Sequence, residues 1–238
     1  MSLLDLAIAT IVIAIGAAVQ GGVGFGMNVV AAPILAVLDP DLVPGPGLAL
    51  GFVLTLLVAF RDRSSLDRRG LEFNLAGRVP GTVVGAVFIA SIPKDAVTIT
   101  VGAAVLVAVV LNLLRLSLRP TPGTLVVVGV VSGFASTVSS VGGPPTAVVY
   151  ASEPPAVARA TLAFIFLVGS AMSLVALSFV GKFGVDELGA TAVLVAPAVL
   201  GYFLSKPLAA RFDRGTARYA ILLVAALGAV TALGKELL

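Results

Sequence analysis

Ten apolar stretches follow one another along the chain, at about 3–20, 25–38, 43–60, 73–91, 96–114, 123–140, 143–152, 157–180, 187–205 and 216–234. Breaks of Pro, Gly or charged residues separate them. Most approach the ~20 residues that a helix needs to cross the hydrocarbon core of a bilayer. Each such stretch must satisfy its backbone polar groups internally, and in lipid a helix does so within one segment. The spans therefore predict an all-α, polytopic transmembrane bundle. Composition agrees: 59% of the 238 residues are hydrophobic and 11% are charged, against about 25% charged in a soluble domain. So few charges cannot cover that much apolar surface in water.

The chain has neither cysteine nor histidine. It lacks the thiolates and imidazoles that hold transition metals and the commonest general base, so no metal, cofactor or redox site is expected. The formal charge of +3 does not mark a nucleic-acid partner, because the basic residues sit in short loops between apolar runs. That is the pattern of a topology signal. The start, Met1-Ser-Leu-Leu-Asp-Leu, lacks a basic n-region and reads as the beginning of a retained first helix.

The cations are distributed unevenly between the two faces. If each short segment counts as a crossing or as half of a hairpin, one face collects Arg61, Arg63, Arg68, Arg69, Arg115, Arg119, Arg159, Lys206, Arg211, Arg214 and Arg218, with Arg78 close to it. The other face has only Lys94, Lys182 and Lys235. Twelve cations against three make the first face cytoplasmic and place both termini outside the cytoplasm.

With five segments in each half, residues 1–119 and 120–238 run in opposite senses, the inverted-repeat plan of many transporters. Self-similarity points the same way. Gly16 and Gly133 lie 117 positions apart, as do Pro80 and Pro197. At an offset of 114, Pro40 aligns with Pro154, Leu48-Ala49 with Leu162-Ala163, and Phe52 with Phe166.

The second and seventh segments are short, and each follows a stretch that propagates a helix poorly. The first is Gln20-Gly-Gly-Val-Gly-Phe-Gly26 and the second is Ser136-Thr-Val-Ser-Ser-Val-Gly-Gly-Pro-Pro145. Both are expected to be broken or re-entrant. A broken helix exposes backbone N–H groups at a partly positive terminus, which suits an anion without any basic side chain. The candidate donors are Gln20, Gly21, Gly22, Gly24, Gly26 and Asn28 in the first break. In the second they are Ser136, Thr137, Ser139, Ser140, Gly142, Gly143 and Thr146. Taken singly, each is better explained by tight helix packing or a hydroxyl bonded to its own backbone. Taken together, the matched positions of the two clusters favour a binding site.

Arg78 lies inside the fourth segment without an acidic neighbour in that segment. It is either a substrate-contacting cation or a side chain whose long stem reaches the cytoplasmic headgroups. Arg159 begins the eighth segment beside Glu153 and reads as an interfacial anchor or half of an ion pair. No span carries Asp, Glu or His at its middle, which argues against metal transport and carboxylate-based proton coupling. An anion driven out by the membrane potential needs neither.

The glycine-rich breaks, with Pro33 and Pro40 after the first and Gly142-Gly143-Pro144 and Pro154 in the second, resemble the sulfite exporter TauE/SafE family of permeases over about residues 5–235. Val23 and Phe25 interrupt the first glycine run, and Pro144-Pro145 follow only two glycines in the second. The resemblance implies transport, chiefly export, of sulfite, an organosulfonate or a related small anion through a bacterial inner membrane. It carries the site to Gly21–Gly26 and Ser139–Pro145. An anion channel on the same scaffold is the alternative. An intramembrane enzyme or assembly subunit is disfavoured, since no His, Cys or intramembrane acid stands beside a nucleophile. The expected partners are a small anionic substrate and the lipid bilayer, without nucleic acid; a homo-oligomer is compatible with the pattern.

Overall fold

The computed structural model describes residues 2–23, 26–114, 116–209 and 214–237. Among them there is no strand, and ten α-helices follow the ten apolar stretches. They are α1 (Leu3–Val23), α2 (Met27–Leu38), α3 (Gly45–Asp62), α4 (Arg68–Ser91), α5 (Lys94–Leu113), α6 (Pro122–Ser139), α7 (Gly143–Val149), α8 (Pro155–Phe179), α9 (Val185–Ala209) and α10 (Arg214–Leu237). Seven stretches of the described residues are long and apolar enough to cross a membrane. Large apolar side chains such as Val83, Val87, Val127, Leu200, Phe203 and Leu227 lie exposed along their flanks. Such a belt would be untenable in water and is what lipid tails require. The protein is an integral membrane protein.

Local chemistry sets the helix starts. Thr121 opens α6 with a capping box: its hydroxyl accepts from Thr124 N at 3.3 Å, and Thr124 Oγ1 accepts from Thr121 N at 2.9 Å. Pro122 follows at the first turn, where its missing N–H has no helical partner to lose. Asp67 caps α4 by accepting from Gly70 N at 2.9 Å and also accepts a bond from the Tyr150 hydroxyl at 3.3 Å. Its own N–H donates to Thr161 Oγ1 at 3.0 Å.

Those contacts define the two ends of the bundle. At one end, Asp67, Tyr150 and Thr161 meet, and Leu118 N donates to Val148 O. At the other, Lys94 pairs with Asp41 at 2.8 Å, Lys235 Nζ donates to Val37 O at 2.9 Å, and Gly45 abuts Lys182 and Phe183. The hydrogen bond to Asp41 and its charge hold the exposed Lys94 ammonium above the ordinary lysine value. Lys94, Lys182 and Lys235 thus share one end. The α1–α2 hairpin returns to that same end, whereas the α6–α7 hairpin returns to the opposite one.

The closest helix pair is α4 with α6. Gly77, Gly81 and Gly85 of α4 face the backbone of Val126, Val130 and Phe134, and Gly129 and Gly133 of α6 face the backbone of Asn74 and Arg78. Glycines every fourth residue on both helices bring the two backbones into direct contact, the small-residue packing that holds helices together in lipid. Most of the packing pairs correspond when α1–α5 are exchanged for α6–α10. Thus α4 packs on α6 as α9 on α1, α1 on α2 as α6 on α7, α4 on α8 as α9 on α3, and α2 on α10 as α7 on α5. Helix α3 lies on α8, and α5 on α10. The contacts of α2 with α5 and of α5 with α6 have no equally extensive counterpart.

Candidate functional site

Both helix breaks are narrower than the weak-helix stretches suggest. Helix α1 continues through Gly21 and Gly22 to Val23, and α2 resumes at Met27. The turn into α2 passes through Gly26 at φ 121°, a conformation essentially reserved for glycine. Helix α6 likewise runs through Ser136, Thr137 and Ser139 before ending, and α7 begins at Gly143. Here the left-handed residue is Ser140, at φ 58°, and not a glycine. Gly142, at φ −95°, is small for a different reason. A Cβ there would lie 2.7 Å from Ser136 Cβ and 2.8 Å from Ser132 O, so α7 folds back on α6 with no space between them.

The tips of the two hairpins meet. Asn28, in the first turn of α2, donates from Nδ2 to Ser140 O at 3.2 Å and to Gly47 O at 2.9 Å. Beside this junction lies a cavity with about 50 Å³ open to the centre of a water-sized sphere. A single water needs about 10–15 Å³ on that measure, so the space suits a small ion or a few waters.

Seven of the residues anticipated from sequence line this cavity: Gln20, Gly26, Asn28, Ser136, Ser140, Gly142 and Gly143. Helices α3 and α8 close it with Leu48, Gly51, Thr55, Phe166 and Ser170, together with Val29 and Val141. Among the described residues, none of the lining side chains is ionisable. Gln20 Oε1 accepts from Met27 N at 3.2 Å, which leaves its NH2 group as a donor. Ser136 and Ser170 are polar, almost wholly buried and on the cavity wall. The Thr55 hydroxyl is turned back on its own helix, onto Gly51 O at 2.9 Å.

The remaining candidates lie elsewhere. Gly21 packs against Ser205 and Tyr202 of α9, Gly22 stays within α1, and Gly24 lies outside the described residues. Thr137 Oγ1 bonds Gly133 O and Ser173 Oγ, both at 2.8 Å. Ser139 Oγ bonds Ala135 O at 2.7 Å. Thr146 is buried with no partner for its hydroxyl and does not reach the cavity wall.

Arg78 does not reach the headgroups, because none of its surface is exposed. Two glycines make that burial possible. Gly133 brings α6 onto its backbone, and the guanidinium lies against the bare backbone of Gly169 in α8. It does not line the cavity but sits behind the wall. Its Cζ is 5.8 Å from the centroid of the Phe166 ring, and Nη1 donates to Ser132 Oγ at 3.1 Å. Ser132 in turn donates to Gly142 O at 2.6 Å.

Residues 8–232 match the family model described as Sulfite exporter TauE/SafE. The chain belongs to that family. No curated protein and no solved structure matches it. As a TauE/SafE member it is a membrane transporter, and among the described residues it has no cluster of His, Cys, Asp or Glu able to hold a metal ion.

Sequence reasoning missed Ser170, Thr55 and Gly51 among the wall residues of this TauE/SafE protein, and Ser132 behind them. A signal for Ser132 exists. Ser132 and Ser136 lie four residues apart and so share one face of α6, whereas Thr137 and Ser139 fall on others. The offset-114 matches also touch the wall, since Leu48 and Phe166 both belong to it.

Proposed function

We propose that this transporter carries a small oxyanion, sulfite or an organosulfonate, outward across a bacterial inner membrane, binding it in the cavity between the two hairpin tips. One observation carries the reading: among the described residues the cavity presents amide and hydroxyl donors, has no carboxylate on its wall, and has an arginine close behind it. A cation would find no carboxylate there among the described residues, only hydroxyls and the unpartnered Asn28 Oδ1. An oxyanion would find the Gln20 amide and the Ser136 and Ser170 hydroxyls, and these donors gain strength away from bulk water. Outward movement of an anion runs with an inside-negative potential and requires no intramembrane proton carrier.

Transport proceeds by alternating access between two inverted halves, residues 1–119 and 120–238, with both termini periplasmic. The correspondence of packing pairs between α1–α5 and α6–α10 supports this plan. So does the return of the two hairpins to opposite ends, which brings both breaks to one place in the interior. The three lysines gathered at one end support the orientation.

Efflux from proteoliposomes tests the assignment. Vesicles loaded with sulfite or an organosulfonate are expected to empty faster with the wild type than with Gly143→Leu, which places a bulky side chain at the cavity wall. A carboxylate control is expected to be retained. Equal efflux from both proteins, or no efflux of either sulfur anion, would remove the site.

A further inference from the structure

Arg78 is a full charge enclosed by protein, with Ser132 Oγ as its one hydrogen-bond acceptor among the described residues. Its Nε and Nη2 are buried without a partner, and no acidic side chain pairs with it among the described residues. A buried arginine is ordinarily matched by a carboxylate, because an uncompensated charge in a low-dielectric interior is strongly destabilising. Nothing in local packing demands a cation here. Gly77 and Gly81 already hold α4 to α6 through backbone contact.

The position of this charge is informative. It touches two parts of the cavity wall without entering the cavity, lying over Phe166 and joined through Ser132 to the Gly142 carbonyl. The geometry points to Arg78 as the specificity-determining counter-charge of the bound anion, acting through space from behind Phe166 and Gly142. This rests on the cavity being the anion site and deepens that reading: the transported anion is the partner that the fold omits. Arg78 is accordingly a positioning residue and makes no direct contact with substrate in this conformation. The class of substrate narrows with it. A neutral or zwitterionic solute of the same size gains little from the charge, whereas a small oxyanion gains fully.

A unit charge about 10 Å away, at an effective dielectric near 20, changes the affinity for an anion by on the order of tenfold. The test uses the full chain in detergent or nanodiscs, with thermal unfolding followed as sodium sulfite is added and sodium gluconate as the ionic control. Bound sulfite stabilises the folded protein in proportion to its saturation. In Arg78→Met, the sulfite concentration giving half of the stabilisation is expected to rise about tenfold, while the sulfite-free protein unfolds at or above the wild-type temperature. Arg78→Lys, which keeps the charge, is expected to recover most of the affinity.

A half-saturating concentration unchanged within about twofold in Arg78→Met would overturn the inference and leave the cavity site intact. So would a sulfite-free Arg78→Met that unfolds well below the wild type, since the charge is then structural. Arg78→Lys as defective as Arg78→Met would also overturn it, by assigning the role to guanidinium shape. Absence of any sulfite response in the wild type would remove the anion site and this inference together.

Discussion

Replacing Gly133 by alanine tests whether the contact of α4 with α6 positions the site. The added Cβ would lie 2.7 Å from Arg78 O, 3.1 Å from Arg78 Cα and 3.2 Å from Thr82 N. All three are backbone atoms, so no side chain can rotate away. Restoring ordinary contact requires α4 to withdraw by about 0.5 Å, and a gap of that size forfeits about a quarter of the dispersion well of each affected pair. Overpacking of this kind costs about 1–3 kcal/mol, and stretching the 3.1 Å bond from Arg78 to Ser132 adds about 1 kcal/mol. The higher helix propensity of alanine returns up to about 1 kcal/mol. The net is about 2 kcal/mol, or a fall of about 4–8 °C in Tm for a chain of this length. Circular dichroism at the helical minimum in detergent measures it, with Gly123→Ala as the control. Gly123 lies on the same helix with nothing within 4 Å of its Cβ position, and its replacement is expected to stay within about 0.5 kcal/mol of wild type. Equal Tm values for the two variants would refute the argument that backbone contact at Gly133 holds the helices together.

Two further outcomes follow from the ends of the bundle. Asp67→Ala removes the cap on α4 and the acceptor of Tyr150. It is expected to cost about 1–2 kcal/mol in thermal unfolding, with Asp67→Asn, which keeps a capping oxygen, costing less. Because the chain has no cysteine, single introduced thiols report topology without background. Asp186→Cys is expected to react with an impermeant maleimide on intact cells, and Arg119→Cys only after permeabilisation; the reverse pattern would invert the proposed orientation.

The helices were legible because each crossing needs a long uncharged run, and the breaks because α1–α2 and α6–α7 leave too few residues for two full crossings. The edges of the breaks were harder to read. Gly21 and Gly22 look like helix breakers, yet they continue α1, because Gly21 provides the space that Ser205 and Tyr202 occupy. In the second break, the left-handed turn falls on Ser140 while Gly142 serves close approach, a division that depends on where α7 folds onto α6. The hydroxyl cluster was visible as a cluster. Its division within α6 into cavity-facing and helix-bonded members follows from the rotation of that helix, which the four-residue spacing of Ser132 and Ser136 encodes. The burial of Arg78 was not legible in its own segment. It depends on Gly133 and Gly169, contributed by two other helices far away in the chain.

The central claim is that the cavity between the hairpin tips is where the anion sits during transport. Sulfite counterflow tests it most directly: proteoliposomes preloaded with unlabelled sulfite are diluted into a trace of radiolabelled sulfite. The wild type is expected to accumulate label transiently above equilibrium and to saturate with external sulfite. Ser170→Leu, which fills the cavity, is expected to abolish accumulation, and Ser136→Ala to weaken apparent affinity. Flux that never saturates and shows no overshoot in the wild type, or an overshoot that Ser170→Leu leaves intact, would contradict the account.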